Sequence, residues 1–487
     1  MKKSVPLHTI MWMIAIILGY FAVLFAISRL TARRATNDTF FRGNRQSPWY
    51  MVAFGMVGAS ISGVTFVSVP GMVTKIDMTY MQTCLGFIFG YIAVAFILLP
   101  LYYRLNLTTI YSYLGQRLGQ RSYKTGASFF LLSKMIGAVV RFYVVCMILQ
   151  QFVFDQMGIP FVATVTGMVA LIWLYTRGGG IKTLVWTDTF QTICLFSALL
   201  LIIYKVVGEL GMTIPEAISA VATDEHSRMF VMDDWVSKQN FWKQFLSGVF
   251  IVIVMTGLDQ DMMQKNLTCK SLKEAQKDMC TYGVAFVPAN LLFLSLGVLL
   301  MMLGESGVSD ELLPGFVQHS GLTVLIPFTI GIVAASFSSA DSALTSLTTS
   351  YCVDIRGRAG DEKLRKRAHL MISVLFVVMI LLFRLLNSTS VIDAIYTICG
   401  YTYGPLLGLF AFGMLTKRMP RDRYVPYICI ASPLVCYMID VITCQLTGYR
   451  FGYELLMMNG LFTFLALLVS SAAGSPRTPS AECQTVS

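Results

Sequence analysis

Residues 55–71 read GMVGASISGVTFVSVPG and lie inside a long apolar run, 48–74. Four glycines, three serines and Pro70 interrupt a stretch that is otherwise compatible with a membrane. Glycine and proline weaken a helix, and the carbonyls freed at such a break coordinate cations and substrates in the discontinuous helices of transporters. A second interpretation stays open, because small residues also form helix-packing faces in membranes.

The composition of the whole chain places this run in a membrane. Of the 487 residues, 56% are apolar and 13% are charged, and the mean hydropathy is +0.67. Soluble domains carry about 25% charged residues. A chain this poor in charge cannot cover a water-facing surface, so the composition predicts a polytopic membrane protein, whose spans we take to be α-helices.

Thirteen apolar stretches are long enough to cross about 30 Å of hydrocarbon. They are 8–28, 48–74, 79–103, 126–156, 160–176, 183–206, 239–260, 278–303, 321–351, 368–387, 390–415, 424–446 and 452–472. The first run ends in FAISRLTARR without a small-residue cleavage site, so we interpret it as a retained span rather than a signal peptide.

Basic residues indicate the orientation of these spans. If the N-terminus lies outside and the C-terminus inside, the cytoplasmic loops and tail hold 26 of the 37 Lys and Arg residues. The outer loop 304–320 holds none and is acidic. This asymmetry follows the positive-inside rule, so the net charge of +11 reports topology and not a nucleic-acid partner.

Other classes of function lack their motifs in this sequence. The four histidines have no metal-ligand spacing, the eleven cysteines form no CxxC pair, and neither a Walker loop nor GxGxxG occurs. An enzyme is not predicted, because no partner base accompanies the intramembrane serines and Asp341. The expected partners are a small solute, a coupling ion and the lipid bilayer, with no obligatory protein partner evident.

A second stretch, 334–350, reads AASFSSADSALTSLTTS and puts hydroxyls and Asp341 at membrane depth. Ser338, Asp341 and Ser342 share one helical face, and Ser339 lies about 100° to the side. Hydroxyls and backbone carbonyls form a hard-oxygen set suited to an alkali cation. Back-bonding to carbonyls one turn earlier is the alternative, and it explains some hydroxyls but not Asp341.

Three further ionisable side chains lie within predicted spans. Asp188, in GGGIKTLVWTDTFQ, would complete a second cation site or carry a proton; the alternative is an acid near the interface, solvated by cytoplasmic water. Arg141, at the centre of its span, either clamps a substrate carboxylate or pairs with Asp341. Lys134, nearer the cytoplasmic end, is expected to snorkel.

Five stretches resemble the sodium:solute symporter family, which includes the sodium–galactose, sodium–proline and sodium–sialic acid symporters. They are GASISGVTFVSVPG at 58–71, GGGIKTLVWTDTFQ at 178–191, LDQDMMQKNLTCKSLKEAQ at 258–276, GYTYGPLLGLFAFGMLTKR at 400–418, and the serine-rich 334–354 ending in VDI. The likeness runs over nearly the whole chain, and WTD followed by DQ-x-x-x-Q is its specific element. About thirteen spans with the N-terminus outside and the C-terminus inside also match the family.

The resemblance implies a LeuT-type fold of two inverted five-helix repeats. These would be 48–206 and 239–415, with the site at the bilayer midplane between the discontinuous spans 48–74 and 239–260. The remaining segments would be an N-terminal extra helix and cytoplasmic loop, an outer loop, two C-terminal extra helices and a disordered cytoplasmic tail, at 1–47, 207–238, 416–472 and 473–487.

The resemblance also implies where sodium binds. The family's main site takes carbonyls and hydroxyls from the first broken helix and the serine-rich helix, which here are Gly58, Ile61, Ala335, Ser338 and Ser339. The family usually has alanine in place of Gly58, and a carbonyl ligand tolerates that change. A second site in some members would use Asp188, Ser338 and Ser342, but Asp341 stands where that site has a serine. A second cation, a proton, or a pair with Arg141 therefore remain alternatives.

Substrate contacts in relatives match Ser60, Ser62 and Thr65, and Gln82 is expected nearby. The galactose-binding relative has a glutamine in place of Thr65, which disfavours a hexose. Small hydroxyls together with Arg141 favour a carboxylated solute, such as a sialic acid or another organic acid. The prediction is a sodium-coupled symporter that imports this solute by alternating access, with Na⁺ as coupling ion and no cofactor.

Two alternative functions are kept. One is proton-coupled solute transport through Asp341 and Asp188, and the other is a membrane solute sensor that does not transport. The compact loops favour the inner membrane of a bacterium.

Overall fold

The computed structural model describes residues 7–33, 36–305, 307, 309–386 and 391–472, and the predicted tail 473–487 lies outside these ranges. Within them no β-strand occurs beyond an isolated parallel bridge between Ser47 and Cys269. The predicted all-α architecture is therefore confirmed for the described part of the chain.

Thirteen long helical stretches follow one another in the described residues, and each coincides with one predicted apolar run. They are α1 (Leu7–Thr31), α2a (Trp49–Ser60) with α2b (Gly63–Ile76), α3 (Tyr80–Arg104), α4 (Gln120–Phe154), α5 (Phe161–Thr176), α6 (Ile181–Glu209), α7a (Phe241–Gly257) with α7b (Gln260–Asn266), α8 (Leu272–Met302), α9 (Leu322–Ile355), α10 (Glu362–Leu386), α11 (Val391–Leu415), α12 (Val425–Thr447) and α13 (Leu455–Ala472). Short helices in the connections are Asn37–Arg42, Ser112–Arg117, Ile214–Thr223 and Leu312–His319.

Length and apolarity qualify eight of these helices as membrane-spanning, or ten if each bent pair counts as one span. Large apolar side chains are exposed along their outer faces, for example Leu200 on α6 and Val374 on α10. Such faces suit contact with lipid. The count of thirteen crossings and the orientation of the termini stay predictions.

The first bent helix is interrupted at Ile61 and Ser62, where α2a and α2b meet at 61°. Ile61 leaves the helical region with ψ 88°, and Ser62 is extended with ψ 168°. The Ser62 hydroxyl caps α2b by accepting from the amide of Thr65 at 3.4 Å. Pro70 lies inside α2b and does not cause the break.

The second bent helix, α7, turns by 70° between α7a and α7b. Asp259 caps α7b, because its Oδ1 accepts from the amide of Asp261 at 2.8 Å. The predicted span 239–260 therefore ends near the break and not at the end of the helix. The chain continues past this break into α7b, which is buried along its whole length.

Both breaks lie against α9, which α7b contacts as well as α2. The α2 break packs on α6 and α9, and α4 packs on α9 and α11. A Cβ on Gly58 would come 1.9 Å from Oγ1 of Thr192 on α6, and one on Gly63 would come 2.1 Å from Oγ of Ser336 on α9. Glycine is thus required at both positions because neighbouring helices approach the α2 backbone closely.

Candidate functional site

The α2 break removes the helical partners of two carbonyls. In a continuous helix the amides of Ser62 and Thr65 would bond to the carbonyls of Gly58 and Ile61. Here the Ser62 amide donates to the Ser60 carbonyl at 3.1 Å, and the Thr65 amide donates to the Ser62 hydroxyl at 3.4 Å. The carbonyls of Gly58 and Ile61, both predicted sodium ligands, are thereby available to a cation.

The predicted hydroxyl ligands lie on the facing helix α9. The Ser338 hydroxyl donates to Asp188 Oδ1 at 2.7 Å, and the Ser339 hydroxyl donates to the Ser336 carbonyl at 3.0 Å. Each oxygen gives its proton to another acceptor and so keeps its lone pairs for a cation. Ala335, the remaining predicted ligand, is buried one turn before Ser339. Carbonyls and hydroxyls of this kind suit an alkali ion.

Gly58 packs so closely against Thr192 that a larger residue cannot fit there without displacing the backbone or the threonine. Gly58→Ala is expected to destabilise the protein by about 1–3 kcal/mol and to raise the sodium concentration needed for stabilisation, because the new methyl pushes a carbonyl that is predicted to bind sodium away from α6. The resemblance to the family implies that alanine is tolerated here, but that expectation considers only the carbonyl and not the space that Thr192 fills. Thermal unfolding in sodium and in choline would measure both effects.

The matched control for this substitution is Gly208→Ala in the same straight helix that carries Thr192. A Cβ on Gly208 has no neighbour within 4 Å. This control should be neutral or stabilising by up to about 1 kcal/mol. Equal behaviour of the two variants would contradict the steric explanation.

A buried charge cluster adjoins the hydroxyls. Asp188 pairs through Oδ2 with Lys265 Nζ at 2.8 Å, with side chains 1% and 2% exposed. Asp341 accepts from the Tyr175 hydroxyl at 2.6 Å and from the Ser342 hydroxyl at 3.3 Å. Because Asp341 also lies within electrostatic range of Asp188 and Lys265, the cluster holds two carboxylates against one ammonium.

Two of the alternatives for intramembrane charges are wrong. Arg141 and Asp341 form no ion pair within the described residues, since Asp341 is bonded by Tyr175 and Ser342. Lys134 does not snorkel: it is 8% exposed, and its Nζ lies 2.6 Å from Asp261 and 3.2 Å from Asp259. Two carboxylates in its neighbourhood offset the cost of burying the ammonium.

A cavity of about 140 Å³ lies beside the α2 break. Ser60, Ser62, Thr65 and Arg141, which the sequence predicts as substrate contacts, all line it, as does Ser339. Five aromatic side chains also line it, namely Tyr80, Phe87, Tyr91, Tyr282 and Phe286. The Ser60 and Tyr282 hydroxyls bond at 2.5 Å across the cavity wall. Such a space, mostly apolar with a few convergent polar groups, is typical of a small-molecule site.

Gln82 is not among the residues that line this cavity. Its Oε1 accepts from the amide of Val231 at 3.0 Å, and its Nε2 donates to the Gln239 carbonyl at 2.8 Å. The side chain is fully buried. In this structure Gln82 therefore holds the connection before α7a and has no amide group free for a solute.

Sequence reasoning missed Lys265, Asp259 and Asp261 as parts of the site. The signal available was the DQ-x-x-x-Q motif followed directly by Lys265. Had the second broken helix been continued past its break, as discontinuous helices are, these charges would have been assigned to membrane depth. The described residues contain no group of three His, Cys, Asp or Glu side chains that could hold a metal ion.

Comparison with known proteins places these features in context. A sequence model of the sodium:solute symporter family matches residues 40–422. The sodium/sialic acid symporter SiaT of Proteus mirabilis is 25% identical over 449 residues, which cover 86% of this chain and 87% of SiaT. The human sodium/iodide cotransporter is 25% identical over 406 residues, which cover 78% of this chain and 61% of the cotransporter.

A solved structure resembles nearly the whole chain. It is the substrate-bound, outward-open state of a Na⁺-coupled sialic acid symporter, with a TM-score of 0.82 at 20% identity, covering 96% of this chain and 98% of that chain. At this identity the likeness shows a shared fold.

Proposed function

Because the chain belongs to the sodium:solute symporter family, it is a membrane protein that couples solute transport to sodium, and we propose that sodium binds where α2 breaks beside α9. The observation that carries this proposal is the pair of carbonyls, Gly58 and Ile61, whose helical partner amides are engaged elsewhere. With Ala335, Ser338 and Ser339 they make a set of neutral oxygens suited to one alkali ion.

Sodium at this position would couple to transport through the two helices that it joins. An ion bound to both α2 and α9 favours the conformation in which they touch, so its binding shifts the population of states and raises solute affinity by linkage. One monovalent cation crossing 100 mV contributes about 2.3 kcal/mol toward solute accumulation. We place the N-terminus outside and the C-terminus inside, in a bacterial inner membrane, with repeats 48–206 and 239–415 moving against each other.

The solute is proposed to be a carboxylated organic molecule. Arg141 lines the cavity and has no hydrogen bond or ion pair within the described residues, so its guanidinium is available for a carboxylate. Ser60, Ser62 and Thr65 line the same cavity and offer hydroxyls to the solute. Relatives with names that specify sialic acid and iodide support an anionic solute.

The charge cluster of Asp188, Asp341 and Lys265 bears on the number of ions. Lys265 supplies one of the two positive charges that the carboxylates require. A sodium ion beside Ser338 would supply the other. Asp341, with Ser342, remains the candidate for a second cation or a proton, because its contacts are hydroxyls and not an ammonium.

Alanine at Ser338 or Ser339 tests the sodium site. Each substitution is expected to raise the sodium concentration for half-maximal stabilisation by about 10-fold or more, because a cation ligand is lost. Thermal unfolding in sodium against choline at equal ionic strength measures this change, and sodium-driven uptake into proteoliposomes measures its consequence. Uptake driven by a proton gradient without sodium would favour the proton alternative instead.

Ser346→Ala is the matched control for these serines. Ser346 is buried on the same helix, and its hydroxyl bonds back to the Ala343 carbonyl at 3.0 Å. It should leave the sodium requirement unchanged. If all three serine variants respond to sodium like the wild type, the site is not at Ser338 and Ser339.

A further inference from the structure

Two charged side chains of one helix line the solute cavity at separate positions. Arg141 and Lys134 both line it from α4. They are seven residues apart on this helix, which puts their Cα atoms about 10 Å apart along the axis and on nearly the same face. A solute that reaches from one end to the other therefore meets two separate groups of charges.

The end at Lys134 carries an excess of negative charge. Asp259 is fully bonded, since it accepts from Tyr403 at 2.7 Å and the Asp261 amide at 2.8 Å in addition to Lys134. Asp261 contacts Lys134 through Oδ2 at 2.6 Å, but its Oδ1 is buried without a hydrogen-bond partner in the described residues. The ammonium of Lys134 thus faces two carboxylates, and Lys265, which also lies within electrostatic range of Asp261, is paired with Asp188.

The incomplete bonding of Asp261 indicates a ligand. Asp261 is 5% exposed and lines the cavity, and a buried carboxylate oxygen without a donor is costly. The opposite deficiency exists at Arg141, a guanidinium in the same cavity without an anionic partner among the described residues. One molecule with a negative and a positive end would satisfy both.

We propose that the transported solute is an extended zwitterion, whose carboxylate pairs with Arg141 and whose ammonium group pairs with Asp261. This inference rests on the proposed function, because it takes the cavity to be the solute site. A simple carboxylate would leave the Asp261 end negative, and a simple amine would leave Arg141 unpaired. An α-amino acid holds its two charges only a few bonds apart, so several carbon atoms between them fit the separation better.

The test compares matched ligands on the full chain in detergent. The ligands are 5-aminopentanoate and 6-aminohexanoate, the same acids without the amino group, and their N-acetylated forms. Binding is measured as thermal stabilisation over a concentration series in sodium and in choline. The amino acids are expected to bind the wild type about 10- to 100-fold more tightly than their desamino and N-acetyl counterparts.

Two variants assign this preference to Asp261. In Asp261→Asn the advantage of the amino group should fall below about threefold, since the anionic acceptor is lost. Asp261→Glu retains the carboxylate and should keep a preference for the amino group. Stabilisation by sodium alone reports whether each variant is folded. If Asp261→Asn does not fold, the wild-type ligand series still decides whether the amino group increases affinity.

Three results would overturn the inference: desamino acids that bind the wild type as tightly as amino acids, no binding of the amino acids in the millimolar range, or an unchanged preference in Asp261→Asn. Failure of the proposed function has a different signature. In that case ligand binding and stability would be the same in sodium and in choline, whichever ligand is preferred.

Discussion

Replacing Lys265 by methionine is expected to lower the free energy of unfolding by about 3–5 kcal/mol, the usual cost of removing one partner from a buried ion pair. Lys265 Nζ lies 2.8 Å from Asp188 Oδ2, and both side chains are almost fully buried. Without the ammonium, Asp188 would remain as a buried carboxylate within electrostatic range of a second acidic side chain, Asp341. The loss should therefore be large even though methionine fills a similar volume.

The double variant Lys265→Met/Asp188→Asn separates pairing from packing. Because it removes both charges, it should recover about 2–3 kcal/mol relative to the sum of the single variants. Unfolding titrations in mixed micelles of denaturing and mild detergent would give these free energies. Strictly additive losses would contradict a direct pair between the two side chains.

Lys205→Met serves as the control for the loss of a lysine. Lys205 is exposed near the end of α6, the helix that also carries Asp188. Its replacement should change the free energy of unfolding by no more than about 0.5 kcal/mol. The sodium requirement of the double variant is a second readout, since Ser338 loses a charged acceptor for its hydroxyl.

The two halves of the candidate sodium site could be predicted because each half is local in sequence and the resemblance to the family implies the ligands in it. The break at Ile61 and Ser62 lies within the glycine- and serine-rich run 55–71. The position of the Ser338 and Ser339 hydroxyls on or beside one helical face follows from their spacing in 334–350. Both features depend on backbone geometry and side-chain type within a few residues. The relation of Gly58 to Thr192 is different, because it depends on the approach of two helices that lie far apart in the chain.

The buried lysines were not predicted for a related reason. From hydropathy alone, a lysine is expected at the end of a span or in a loop. Only the tertiary structure shows the carboxylates that offset the cost of burying the two ammonium groups. These carboxylates are Asp259 and Asp261 for Lys134, and Asp188 for Lys265. Gln82 is the opposite case, a residue that was predicted to contact the solute but does not line the cavity. Its place one helix after the broken segment suggested a solute contact, whereas its amide holds the connection before α7a.

Arg141→Met is expected to weaken the binding of a carboxylated solute by about 2–4 kcal/mol, roughly 30- to 1000-fold, while leaving the fold intact. The two effects separate because Arg141 lines the cavity but has no ion pair or hydrogen bond within the described residues. Its removal should cost no more than about 1 kcal/mol of stability, in contrast to the loss of Lys265. Sodium-dependent stabilisation over a solute series measures binding, and the same unfolding titrations measure stability.

Arg141→Lys and an amide analogue of the solute show whether the carboxylate is the group that Arg141 recognises. Lysine keeps the charge without the planar fork, so it should restore only part of the affinity. The neutral amide should bind the wild type and Arg141→Met about equally, because neither offers it a charge-assisted pair. If Arg141→Met binds the carboxylate as tightly as the wild type, the guanidinium does not contact the solute. If it is instead as unstable as Lys265→Met, the guanidinium has a structural role, and the carboxylate must be held by the hydroxyls of the α2 break.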